Sequence, residues 1–353
     1  MAPAEDDISI DEKRVYAARA GRTDAYVATD LGVVRVAISG DTVGEFELAI
    51  RGPARDVAVL DRPAGSGLLA VAADDRLRIG RIADSAREVD TVEVPGVDAP
   101  VAVGVRDGAF LVASETGAVT RVRVDDGSDT GCAERAVTTD GAIETTVQRL
   151  GTVAGPRAVD GSLIAGEDGV HRVVDGYDGG RVESVGLRDV RDVAGSGVPL
   201  AATSEGLYWL GNGWMDALDG PFDAVAADGD GHARAVGAGT LFVHATANGP
   251  DGVDTDPDGV DDHPDAAGGE AGEPDDGAAG SGDEAVRGWN AEAWDESTLP
   301  IDDPPVALEY GPGVSVAVTE AGTVCVDDGD GWRHRSVGVR GVEAVALATV
   351  DTS

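Results

Sequence analysis

The sequence predicts an all-β chain that closes into a seven-bladed β-propeller. Three observations predict it. First, short Val/Ala/Leu runs are punctuated by Gly and Asp, and no stretch of period 3.6 is long enough for a helix. Second, one two-stranded unit recurs along the chain, which is the signature of a repeat architecture. Third, the first unit lacks a strand that every later unit has, and the chain ends on a strand with no unit after it.

The recurring unit is an apolar run, an acidic turn ending in Gly, then a second alternating strand. It appears as YVATDLGVVRV (26–36), LAVAADDRLRI (69–79), LVASETGAVTRV (111–122) and LIAGEDGVHRV (163–173). It returns as LAATSEGLYWL (200–210), RAVGAGTLFV (234–243) and VAVTEAGTVCV (316–326). The turn falls at Gly32, Arg76, Gly117, Gly169, Gly206, Gly239 and Gly322, so successive intervals are 44, 41, 52, 37, 33 and 83 residues. All but the last scatter around the roughly 40 to 50 residues of a four-stranded blade.

Units two to seven are each preceded by a short apolar strand: VAVL (57–60), VAVGV (101–105), RAVD (157–160), VRDVA (190–194), DAVAA (223–227) and VALEY (306–310). The final strand, VEAVALA (342–348), fits the gap in the first unit. Pairing it there joins the two ends of the chain in one blade and leaves no open sheet edge. The expected organisation is an N-terminal segment (1–20), one propeller domain (21–348) and a tail (349–353).

The long last interval holds an excess segment, ANGPDGVDTDPDGVDDHPDAAGGEAGEPDDGAAGSGDEAVR (247–287), rich in Gly, Pro, Asp and Ala. With almost nothing apolar it cannot offset the entropy of ordering, so it is expected to be a disordered acidic insertion between the third and fourth strands of blade six. Within it Asp254, Asp256, Asp258, Gly259, Asp262 and Asp265 fall on positions 1, 3, 5, 6, 9 and 12 of a calcium loop. Pro257 stiffens that loop, Asp265 replaces the bidentate Glu, and neither flank can form a helix. The segment is therefore read as acidic chain, with no metal or other cofactor expected.

The chain carries 66 Asp+Glu against 27 Lys+Arg, a net charge of −39. Such self-repulsion is tolerable where salt screens it, so the charge describes the solvent more than a ligand. It argues against nucleic acid as a partner. No apolar run approaches the roughly 20 residues of a membrane span, and MAPAEDDISIDEKR has no signal-peptide core. Cys132 and Cys325 lack metal or disulfide spacing. These features lead us to expect a soluble, cytoplasmic, monomeric protein with reduced thiols.

Candidate contact residues are few. Asp30, Asp74, Glu115, Glu167, Glu205 and Glu320 occupy nearly the same turn in successive units, and in a propeller those turns share one face. They are expected to form a ring able to attract cations or a basic partner. Trp332, Arg333, His334 and Arg335 form a basic-aromatic run, and Tyr208 and Trp209 a second aromatic pair. Trp, Tyr and Arg carry much interface energy, so both groups are read as a protein-partner surface. No GxSxG elbow, P-loop or HExxH motif occurs, and the five histidines are scattered. No residue is assigned to catalysis.

EKRVYAARAG (12–21), YVATDLGVV (26–34) and the glycine-turn blades resemble haloarchaeal β-propeller proteins of the WD40-like or YVTN-like kind. The resemblance covers the chain apart from its insertion and implies the fold and setting, with no activity. The Gly-His and Trp-Asp pair of WD40 blades is absent. Gly213–Trp214, Gly288–Trp289 and Gly331–Trp332 resemble degenerate Asp-box turns that lack the Ser-x-Asp part. Together these readings point to a non-catalytic scaffold for protein–protein interaction. The alternative is an enzyme or ligand-binding propeller using polar residues around its channel. A cluster of His, Arg and carboxylate at the channel mouth would favour the latter.

Overall fold

The structure is a computed structural model describing residues 22–62, 67–82, 88–125, 143–176, 179–244, 289–290 and 292–350. Its 28 strands form seven four-stranded antiparallel sheets, with no helix among the described residues. Blade one contains β1 (Arg22–Thr29), β2 (Gly32–Ser39) and β3 (Thr42–Arg51). Blade two is β4 (Ala54–Leu60), β5 (Leu68–Ala73), β6 (Arg76–Arg81) and β7 (Thr91–Asp98). Blade three is β8 (Pro100–Arg106), β9 (Ala109–Ser114), β10 (Ala118–Asp125) and β11 (Glu144–Thr152). Blade four is β12 (Ala158–Asp160), β13 (Leu163–Gly166), β14 (Gly169–Val174) and β15 (Arg181–Gly186).

Blade five is β16 (Val190–Ala194), β17 (Leu200–Thr203), β18 (Gly206–Leu210) and β19 (Trp214–Asp219). Blade six is β20 (Phe222–Ala227), β21 (Ala233–Gly237), β22 (Thr240–His244) and β23 (Trp294–Ser297). Blade seven is β24 (Pro305–Gly311), β25 (Val314–Thr319), β26 (Thr323–Asp327) and β27 (Arg333–Ser336). The last strand, β28 (Val342–Val350), pairs with β1 from Arg22↔Val350 to Thr29↔Val342 and completes blade one as expected.

Ring closure shows in the innermost strands. β28 touches β4, β4 touches β8, and the contacts continue through β12, β16, β20 and β24 back to β28. Apolar residues alternate on both faces of each sheet, so the core is the set of layers between neighbouring blades. Seven buried clusters correspond to the seven blade interfaces. The cluster of Val34, Val36, Ile38, Val316, Val318, Val324 and Val326 packs blade seven on blade one, where the chain ends meet. Burying each such side chain contributes on the order of 1.5–3 kcal/mol.

The insertion joins β22 to β23, the third and fourth strands of blade six. The insertion itself, the aspartates of the calcium-like stretch and Cys132 lie outside the described residues. At its foot His244 is fully buried: its Nδ1 faces the Gly231 carbonyl at 2.9 Å, and its Nε2 faces the Asn290 carbonyl at 2.9 Å. Its ring stacks on Trp289 with centroids 3.7 Å apart. Trp294, rather than Trp289, opens the outer strand of this blade, as Trp214 does in blade five.

Candidate functional site at the channel mouth

The innermost strands surround a central channel of about 710 Å³. Six of them pair with the second strand of their blade through a register shift near their start, which leaves one residue out of the ladder. These residues are Arg55, Val101, Arg191, Asp223, Val306 and Glu343. Arg157 takes the corresponding place in blade four, where its N–H donates to the Ala165 carbonyl at 2.9 Å. A bulge re-aims the extra side chain, and all seven of these residues line the channel. The mouth therefore carries three arginines, two acids and two valines.

Each arginine reaches a neighbouring acid. Arg55 bonds Asp74 at 3.4 Å and also pairs with Glu115, joining turns of blades two and three. Arg157 bonds Asp189 at 2.7 Å and the Val190 carbonyl at 3.0 Å. Arg191 pairs with Asp223 of the next blade. These pairs sit at the surface, where water and salt screen them.

Below the rim, Asp56, Asp160, Asp192 and Glu309 also line the channel. Asp56 accepts the N–H of Val57 at 2.8 Å and that of Val103, in the next blade, at 2.7 Å. Asp192 repeats the arrangement with Val193 at 2.9 Å and Val225 at 2.8 Å. Asp160 accepts from Gly195 at 2.6 Å. These three aspartates therefore tie β4 to β8, β12 to the end of β16, and β16 to β20. Each is open to the channel lumen while protein surrounds its other sides. Burial pushes Asp56 and Asp192 up to about 7 and Glu309 up to about 8, neighbouring carboxylates adding to the rise. Asp160 is raised by the same desolvation.

The predicted acidic ring lies on this face. Asp30, Asp74, Glu115, Glu167, Glu205 and Glu320 are all exposed at turns between second and third strands. Arg55 brings Asp74 and Glu115 together. Asp30 approaches Glu343, whose pKa is raised by desolvation and then by the Asp30 charge. The turn in blade six has Ala238 and Gly239 between its strands and no acid.

The predicted basic-aromatic surface is divided. Trp332 precedes β27 and lies under the Arg234 guanidinium, 4.3 Å from its ring centroid. Arg333 bonds Asp41 at 2.6 Å, and Arg335 donates to the Gly44 carbonyl and lies over the Phe46 ring. Both arginines thus lace the outer strand of blade seven to blade one, while His334 is exposed. Tyr208 and Trp209 lie on β18 in blade five and do not join this group. Trp209 packs into the layer between blades five and six.

Sequence reasoning missed the bulged arginines and the channel aspartates. A signal existed: RDVA occurs at 55–58 and again at 191–194, each time at the start of an inner strand. It also missed the aspartate of one Asp-box-like turn. Asp327 stands five residues before Trp332 and accepts the N–H groups of Gly329 at 3.0 Å and Gly331 at 3.2 Å.

Seven closed blades around an open channel define a β-propeller. The profile of the HVO_0234-like beta-propeller family matches residues 9–256 and 251–348, and the chain belongs to that family. No curated protein is significantly similar to the chain. Among solved structures, a functionally unknown protein from Desulfotomaculum acetoxidans DSM 771 is 10% identical with a TM-score of 0.56, covering 93% of this chain and 99% of that one. U3-55K is 9% identical with a TM-score of 0.52, covering 93% of this chain and 92% of that one. At these identities the likeness speaks for the fold alone.

Proposed function

We propose that the protein is a non-catalytic propeller scaffold that binds a protein partner on the face bearing the channel mouth. The observation that carries this reading is the ring of Arg55, Arg157, Arg191, Asp223 and Glu343 at the starts of the inner strands, set among exposed acidic turns. Charged side chains held on a rigid rim supply electrostatic complementarity and register for a docking protein. The channel aspartates favour a scaffold over an enzyme, because they spend their oxygens on backbone N–H groups of the next blade. The ligand-binding alternative calls for His together with Arg and carboxylate at the mouth, and the described lining residues supply Arg and carboxylate without His.

A second contact at Trp332, Arg333 and His334 is less favoured, because Arg333 and Arg335 are engaged with blade one. We place the protein as a monomer in a salt-rich cytoplasm, which suits its net charge of −39. No helix among the described residues is long and apolar enough to cross a membrane. The test is native co-purification in molar KCl with cross-linking. Cross-links are expected at the turns carrying Glu115, Glu167 and Glu205, and Asp30→Lys with Glu320→Lys should reduce recovery of the partner. Cross-links confined to the outer strands would overturn the reading.

A further inference from the structure

We infer that the blade-four and blade-five side of the channel mouth is a carboxylate-binding site, in which Arg157 and Arg191 take an Asp, Glu or chain-terminal carboxylate of a protein partner. This deepens the scaffold reading above and rests on it. Arg191 occupies the bulge of β16 and Arg157 stands immediately before the adjacent inner strand β12, and both line the same cavity. Their side chains are 34% and 35% exposed, so each guanidinium is reachable from the mouth. A guanidinium offers a planar fork of donors that matches a carboxylate in two parallel bonds, which a lysine cannot reproduce.

The present partners do not close the site. Asp189 and Asp223 are 47% and 56% exposed, and exchanging one exposed carboxylate for another costs little. The displaced aspartate turns to water, where its charge is solvated. The depth of the site is set from below. Asp160 and Asp192 hold their strands by accepting N–H groups from the next blade, which leaves the guanidinium groups above them as the donors open to a carboxylate.

The backbone at this corner shares a left-handed residue with the connection between blades two and three, where Ala99 stands at φ 45°. The connection from β15 to β16 holds Leu187 at φ 60° and Asp189 at φ 47°, both in the left-handed region without being glycine. Residues strained in this way gather at ligand sites, where the surrounding structure holds them in place. Asp189 is the strained residue that covers Arg157, bonding it at 2.7 Å. The strained carboxylate acts as a stand-in for the incoming one.

The test uses the full chain in molar KCl and fluorescence anisotropy with three labelled peptide probes. One ends in alternating Asp and Glu with a free carboxylate, one is its amidated Asn/Gln counterpart, and one carries Lys at the acidic positions. The acidic probe is expected to bind best. Arg157→Gln with Arg191→Gln should weaken it by at least about tenfold, and Arg181→Gln on the outer edge of blade four should not. Asp189→Asn, which removes the competing charge, should tighten binding, a gain that misfolding cannot mimic. Equal binding of the acidic and neutral probes, preference for the Lys probe, or insensitivity to both the arginine and the Asp189 variants would overturn the inference. If the native partner is recovered equally well by the double arginine variant, the carboxylate site fails while the scaffold reading stands. Failure to cross-link any partner to the mouth face removes the scaffold reading itself.

Discussion

At Gly32 the backbone φ is 136°, and a Cβ there would lie on the carbonyl oxygen of Ile50. Gly117, Gly169 and Gly322 stand in the same turn of their blades, each against a carbonyl of the following connection. The repeated glycine is thus demanded twice, by conformation and by close approach. Gly32→Ala is expected to cost about 2 kcal/mol or more, seen as a lower denaturant midpoint; an unchanged midpoint would refute the steric account. The channel carboxylates make a pH prediction. Asp56, Asp192 and Glu309 are held at about 7, 7 and 8 by burial, against about 4 in an unfolded chain. Their contribution to stability is therefore full below about pH 4 and is lost as pH rises through 7 to 8. Asp41, Asp175 and Asp189, lowered by hydrogen bonds from Arg333, Arg121 and Arg157, act oppositely and lose their contribution in acid. The melting temperature should decline between about pH 4 and 8, and Glu309→Gln should flatten that decline. A profile that stays level from about pH 4 to 8 in the unsubstituted protein would contradict it. The turn acids and glycines were readable because they recur in register. Arg191 and Asp189 were not, because a bulge and a strained connection depend on how neighbouring strands pair.

The element that decides the architecture is β28. It pairs with β1 along its length, and its Val342 and Val345 enter the layer between blades seven and one. Removing residues 340–353 should uncover the edges of β1 and leave that layer open to water, so the shortened chain should aggregate or melt far lower. Size-exclusion chromatography and calorimetry give the answer, and a monomeric product of unchanged melting temperature would dismiss closure as a stabilising device. This pairing was legible because each end of the sequence lacked what the other supplied. The role of β27 was not legible. Its arginines read as a free basic patch in a chain poor in cations, yet they reach Asp41 and Gly44, distant in sequence and adjacent only once the ring has closed. Trp294 was likewise hidden, because the strand it opens follows the insertion by several residues and only its pairing with His244 reveals the register.

On the scale of the whole molecule, the net charge of −39 surrounds a core made of thin layers rather than one centre. Lowering the ionic strength from molar to about 0.1 M lengthens the Debye screening distance from about 3 to 10 Å. The propeller is expected to lose thermal stability across that range, and full retention at low salt would mean the acidity has another cause. The blade count followed from the spacing of glycine turns, since a period survives even where each repeat is weak. The channel chemistry did not, since it arises from seven strand starts scattered along the chain. Velcro-like pairing of β1 with β28 also has a temporal side. A ribosome finishes the first blade's partner strand only after every other blade has emerged, on the order of 15 to 60 s later at ordinary synthesis rates. Throughout that interval the earliest hairpins present an unsatisfied strand edge, so the nascent chain depends on chaperones or on its own charge repulsion to stay single until the final strand arrives.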